Sequence, residues 1–445
     1  MTDDLLTIAA EAVKIARQLG ADAVDALAVN RRGTEVEMRE GAIEKLEQAE
    51  AREIGLRVFK GKSSAIISGS VLTREAIRRL AETAVAMAAL APEDPFAGIA
   101  ELGLLATSFP DLDLVSAHLP DAAELQSLAT RTEDAALAVS GVSKSGGASA
   151  SFSDRTIALA ISNGFARSYR RTSASIGVSA IAGEGTAMER DYDYSATTHF
   201  ADLRSPEEVG REAGERTVRR LNPKKIKSQA VPVIFDRRIS ASLVGHALGA
   251  ISGSAIARGT SFLKDHMGQQ VFASAITIVE DPFMARGLAS RPFDGEGLAG
   301  SEREIFADGV LTGWILDLRS ARQLGLAPTG QGGRGLGSPP SPTTSNIYLK
   351  AGPTALKDLI GGIGQGLYVT GLIGSSINMV TGDYSRGASG FWIDKGELAY
   401  PVSEITIAGN LKDMFLHVTP ADDLEFRSSV NAPGCLVEGL TIAGV

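Results

Sequence analysis

Residues 222–235 read Asn222–Pro223–Lys224–Lys225–Ile226–Lys227–Ser228–Gln229–Ala230–Val231–Pro232–Val233–Ile234–Phe235. The Asn-Pro pair with its two lysines is the clearest linker in the chain, since Pro and the residue before it resist helix. The apolar run 231–235 then predicts a strand. On either side of this linker the sequence has a different texture, and the fold class follows from that difference.

Before the linker, Leu5, Ile8, Ala12, Ile15 and Leu19 recur at helical spacing until Gly20 ends the run. Strands are expected at 22–30, 36–38 and 55–59, with Lys60–Gly61–Lys62 turning into another at 64–68. A helix over 73–90 starts on Thr73, with Glu75 in its first turn. Pro92, Asp94, Pro95 and Pro110 punctuate a boundary, and 121–139 reads as a helix. Residues 142–198 become rich in Ser, Thr and Gly, with strands at 149–152, 156–162 and 169–182 and a hairpin signal at Ser162–Asn163–Gly164. Pro206 opens a helix ending near Leu221.

After the linker, a helix runs from Ile239 toward Ala257. Short strands follow at 275–279, 304–307, 311–317, 390–393, 397–400 and 439–443, separated by glycine turns. Such spacing predicts a large curved, mostly antiparallel sheet or barrel. The expectation is an α+β chain: an N-terminal α/β subdomain (1–106), a middle helix-plus-strand subdomain (107–222) and a C-terminal curved-sheet domain (226–445).

The 445 residues exceed what one hydrophobic core usually spans. Aromatics are only 5%, so the cores must be built from Ala, Val, Leu and Ile. A net charge of −9 offers little attraction to phosphate, and no nucleic-acid partner is expected. Short basic runs such as Arg167–Ser168–Tyr169–Arg170–Arg171 read as solvated faces. One cysteine, Cys435, rules out an internal disulfide framework and reads as a packed apolar thiol. The acidic start of the chain is unlike a signal peptide, and no apolar run approaches the ~20 residues that cross a bilayer. A cytoplasmic, membrane-free setting is expected.

Gly330–Gln331–Gly332–Gly333–Arg334–Gly335 matches G-x-G-x-x-G by letter, but 320–326 before it looks helical and prolines follow it. A dinucleotide site requires the opposite order, strand then helix. The longer loop, 329–342, instead reads as a binding loop or lid. Gly61–Lys62–Ser63 lacks the context of a phosphate loop and reads as a hairpin turn. No G-x-S-x-G nucleophile elbow occurs. The five histidines (His118, His199, His246, His266 and His417) stand too far apart for a helix-borne zinc pair, and His246 sits in an apolar helix. Carboxylates at Glu280–Asp281, Asp294–Gly295–Glu296 and Asp308 read as backbone-capping turn residues rather than an acid–base pair.

Several strings together resemble the TldE/PmbA branch of the TldD/PmbA family. They are Gly55–Leu56–Arg57–Val58–Phe59, Ser290–Arg291–Pro292–Phe293–Asp294–Gly295–Glu296–Gly297, and Asp308–Gly309–Val310–Leu311. The most specific is Thr381–Gly382–Asp383–Tyr384–Ser385–Arg386–Gly387–Ala388–Ser389–Gly390–Phe391–Trp392, followed by Tyr400–Pro401–Val402–Ser403–Glu404. Their order covers almost the whole chain.

The resemblance implies dimers enclosing a tunnel, and a peptidase whose TldD subunits carry an H-E-x-x-x-H zinc motif and a later cysteine ligand. Placed on Arg258–Gly259–Thr260–Ser261, that motif falls on Val244, Gly245 and Gly249, none of which donates a lone pair. The cysteine position falls around 427–429, and Cys435 lies beyond it. No catalytic or metal residue is therefore expected in this chain, and zinc is expected in a TldD-like partner. Gly332, Gly333, Arg334, Ser385 and Arg386 are candidates to line the substrate tunnel, with Arg334 offering a fork to a peptide carbonyl or carboxylate. The alternative is a homodimeric peptide-binding or regulatory protein without hydrolase activity.

Overall fold

A computed structural model describes residues 2–444, apart from the side chains of residues 2, 3 and 375. The N-terminal half is built on one six-stranded antiparallel sheet. Its strands are β1 (Ala23–Arg39), β2 (Ala42–Lys60), β3 (Ser63–Gly69), β4 (Val142–Ile161), β5 (Ala166–Ala182) and β6 (Glu189–Thr197). Their order across the sheet is β3-β2-β1-β4-β5-β6. The stretches 1–106 and 107–222 thus share a single sheet, joined where β1 runs beside β4 from Asp25↔Ile161 to Met38↔Ala148.

Strand alternation gives this sheet two unlike faces. Val24, Ala26 and Ala28 of β1, Ile54, Leu56 and Val58 of β2, and Ala158 and Ala160 of β4 point to one face. Helices α1 (Thr2–Gln18) and α2 (Arg74–Leu90) cover them. Further along the same face, Val36, Phe152, Ile176 and Val178 lie under α3 (Ala122–Leu137) and α4 (Pro206–Arg219). Thr73, Asp121 and Ser205 each accept a backbone N–H at the start of α2, α3 and α4, and of these Thr73 is the cap expected from the sequence. The opposite face, carrying Leu27, Val29, Arg155, Ile157, Tyr169 and Arg171, turns to the C-terminal half.

The C-terminal half closes on itself. Strand β7 (Gln229–Phe235) pairs in parallel with Gln365–Ile377, and the order continues antiparallel through Asp383–Asp394 to Glu397–Asn410. On its other side β7 pairs with Cys435–Ala443, which also bonds Glu397–Asn410 through Thr406↔Ala443 and so closes the ring. A second, five-stranded sheet packs into the same core with α5 (Arg237–Ala250). The curved, mostly antiparallel C-terminal domain expected from the sequence is therefore present, as a barrel-like closed sheet. Cys435 is buried in its wall as a free thiol, and burial pushes its pKa up.

Several expected elements change in extent. The strands expected at 22–30 and 36–38 are one strand, β1, because Arg31–Glu35 keep pairing with β2 and β4. The helix from Ile239 breaks after Ala250, where Gly253 N–H donates to Ile315 O, and resumes over Gly253–Ala257. The strand expected at 311–317 stops at Leu311; Asp317 instead caps the helix Leu318–Leu324.

Candidate functional site

The glycine-rich loop lies at the junction of the halves. Gly332 and Gly333 pair with Ser341 and Pro342 in a narrow hairpin, with neither a strand before it nor a helix after it that would fit a dinucleotide. Its free backbone groups are already used. Gly332 N–H donates to Asp294 Oδ2 at 2.8 Å, and Gly295 N–H donates to Gly332 O at 2.7 Å.

Arg334, next in the chain, reaches across to the N-terminal sheet. Its fully buried guanidinium pairs with Asp25 of β1 and donates to Gly55 O of β2 at 3.2 Å. Asp25 is shared with Arg57, whose Nη2 stands 2.6 Å from Oδ2. Burial lowers the Arg334 pKa to about 10, with Asp25 opposing the shift. Arg334 is therefore not a free fork for a peptide, because an internal carboxylate has claimed it. The loop also lies flat on β2, where a Cβ on Gly55 would overlap Leu336 O.

Asp294 and Glu296 close the junction from the C-terminal side. Asp294 Oδ1 accepts N–H from Glu296 and Leu298, each at 2.9 Å, so the carboxylate caps backbone as its place beside Gly295 suggests. Glu296 Oε2 accepts Leu318 N–H at 2.8 Å. Burial, against the pull of Arg57, pushes Glu296 up to about 8.

Beside this junction a cavity of about 230 Å³ opens between the sheet and the C-terminal half. Gly332, Gly333 and Arg334 line it, together with Arg155, Tyr169, Arg171 and Arg291. The other two sequence candidates lie elsewhere: Ser385 and Arg386 belong to the barrel strand Asp383–Asp394, where Arg386 Nε donates to Gly374 O at 2.8 Å. The basic run at 167–171 is not one solvated face. Arg170 pairs with Asp154, whereas Arg171, one residue on, turns inward to the cavity. Nothing in the sequence marks Asp25, Arg57, Arg155 and Arg171 as neighbours, since only strand register brings them into place.

Val244, Gly245 and Gly249, the positions expected from the resemblance for the metal motif, lie on α5. Val244 points into the core at 2% exposure, while Gly245 and Gly249 are exposed. A Cβ on Gly249 would touch Met379 Cε at 3.4 Å. His246 is the imidazole on this helix, packed edge-on to Tyr384 with ring centres 6.0 Å apart. Its Nε2 is buried without a hydrogen-bond partner, and burial, helped by Arg386, lowers its pKa to about 4. Among the described residues no three of His, Cys, Asp and Glu gather as a metal cluster. The donor set on α5, one imidazole among valine and glycine, does not fit a tetrahedral zinc.

A mixed sheet-and-barrel chain joined at a glycine loop matches known proteins throughout. Family models described as PmbA/TldA metallopeptidase domain 1, central domain and C-terminal domain match residues 24–88, 118–221 and 228–444. The chain is 38% identical to the metalloprotease PmbA of Escherichia coli O157:H7, over 98% of this chain and 96% of that one. A PmbA homolog of Haemophilus influenzae is 37% identical over 97% and 94%. A crystal structure of a putative modulator of DNA gyrase from Bacteroides thetaiotaomicron superposes with a TM-score of 0.92 at 26% identity, covering 100% and 99%. TldE from Thermococcus kodakarensis gives 0.87 at 21%, covering 97% and 99%, a likeness of fold. This chain belongs to the PmbA/TldD metallopeptidase family.

Proposed function

We propose that this chain is the non-catalytic subunit of a heterodimeric metallopeptidase acting on unfolded or short peptides, with zinc supplied by a TldD-like partner. The observation that carries the reading lies on α5, where the resemblance puts the motif on Val244, Gly245 and Gly249. A valine turned into the core and two glycines with no side-chain donor offer zinc nothing, and a zinc-activated water needs three protein ligands to hold the metal. The chain's contribution is then to hold substrate at the junction cavity.

The setting proposed is the reducing cytoplasm, which suits an unpaired buried thiol. Among the described residues no helix is long and apolar enough to cross a membrane. The test is tagged co-purification with a zinc-bearing homologue from the same cell, with metal analysis of each species. The expected result is a stable complex holding its zinc in the partner. Purification of this chain as a homodimer that ignores the homologue favours the peptide-binding or regulatory alternative instead.

A further inference from the structure

On the sheet face turned to the C-terminal half, strand register sets arginines opposite one another. Arg31 of β1 stands across from Arg155 of β4, and Arg155 across from Arg171 of β5. Like charges directly opposed in a sheet are destabilising, so such a row calls for counter-charge. No carboxylate among the described residues pairs with Arg31, Arg155 or Arg171, of which Arg31 and Arg155 are exposed to solvent. Among the described residues Arg155 has no hydrogen-bond or ion-pair partner. Arg171 donates to Leu288 O, and to Ser290 O at 3.4 Å, which are neutral carbonyls.

A fourth arginine approaches from the other side. Arg291 of the C-terminal half lines the same cavity, and among the described residues its guanidinium donates only to Thr343 O, at 3.4 Å. Arg170, on the opposite sheet face, is matched in full: Nε and Nη2 meet the two oxygens of Asp154, each at 2.7 Å. No such two-point carboxylate pair is made by Arg155, Arg171 or Arg291 among the described residues. Asp294 also borders it, but three backbone N–H groups already occupy its oxygens, and burial raises its pKa. Burial lowers the pKa of Arg171; Tyr169 opposes the shift, and Arg155 and Arg291 add to it.

Apolar side chains line the same wall, Leu27, Val29, Ile157, Leu159 and Phe293, with Tyr169 among them. We propose that this cavity is a carboxylate-binding site that takes the free C-terminus of a peptide ending in an apolar residue. Guanidinium forks match a planar carboxylate with paired hydrogen bonds. The apolar wall then takes the last side chain, which inorganic phosphate would leave unfilled. That the ligand is a peptide rests on the function proposed above; that the cavity holds an anion rests on the arginine row alone.

The test is calorimetric titration of the full chain, without partner, using a short peptide ending in leucine as free acid, its C-terminal amide, and inorganic phosphate. The acid is expected to bind at least about tenfold tighter than the amide, the loss of roughly one charge-assisted hydrogen bond. Arg155→Gln should abolish that preference. Because Arg155 holds no protein partner, this variant should melt no lower than the parent, while Arg170→Gln keeps the preference. Equal binding of acid and amide with no binding of phosphate, or an acid preference that survives in Arg155→Gln, overturns the site. Phosphate binding without an acid preference keeps an anion site but overturns the peptide assignment. Since neither turnover nor a partner enters the measurement, failure here is distinct from failure of the heterodimer reading.

Discussion

Arg334, from the glycine-rich loop of the C-terminal half, closes its buried guanidinium on Asp25 of β1, which also holds Arg57 of β2. One carboxylate thus serves two buried cations from opposite halves of the chain. The halves meet again where Asp193 of β6 binds Arg427 at 3.1 Å, alongside Arg204 and Arg216. The cavity between the halves is therefore held by charge as well as by packing.

This sharing ranks two substitutions. Asp25→Ala leaves Arg334 unmatched and Arg57 with only Glu296, 3.9 Å away, and should cost about 3–5 kcal/mol, the range for breaking a buried pair from one side. Arg334→Met leaves Asp25 with Arg57 and should cost less, about 1–3 kcal/mol. Urea unfolding of the two variants checks the order. Equal losses, or a larger loss for Arg334→Met, would mean that Asp25 does not join the halves.

Gly55→Ala places a methyl group against Leu336 O and must lift the glycine loop from β2. A loss of about 1–3 kcal/mol is expected from overpacking. Proteolysis should also quicken between 330 and 342, where the parent loop is docked. A variant as stable and as resistant as the parent would show that the loop does not need this close approach.

His246 gives a signed pH effect. Its folded pKa, about 4, lies below the usual 6.5, so the unfolded chain takes up the proton first as pH falls. Its contribution is complete above pH 6.5 and is lost between about 6.5 and 4. Allowing for partial exposure, the loss is about 2 kcal/mol. The stability difference between parent and His246→Leu should therefore shift in favour of the variant across this window. A difference that stays constant from pH 7 to 4.5 would contradict the burial argument.

The sequence carried the helix starts well, because Thr73, Asp121 and Pro206 mark them to within a residue. It carried strand extents poorly. Arg31, Arg32 and Gly33 look like a break in β1, yet backbone pairing with both neighbours keeps them extended without burial. The strand Gln365–Ile377 escaped notice because its glycines dilute the apolar alternation. At Gly366 that dilution has a cause, since a Cβ there would lie 2.8 Å from Pro232 O of the adjacent strand β7. The Asp25–Arg334 pair and the arginine row were illegible for a simpler reason. Their members are far apart in sequence, and only the sheet order β1-β4-β5 and the docking of the loop bring them together.

The central claim is that this chain holds peptides while a zinc-bearing partner cuts them. The most direct measurement is hydrolysis of an unstructured peptide by this chain alone, by the zinc-bearing homologue alone, and by the mixture, each with its zinc content recorded. The account predicts no turnover and no stoichiometric zinc for this chain alone, with turnover by the mixture well above that of the homologue. Zinc-dependent turnover by this chain on its own would contradict it.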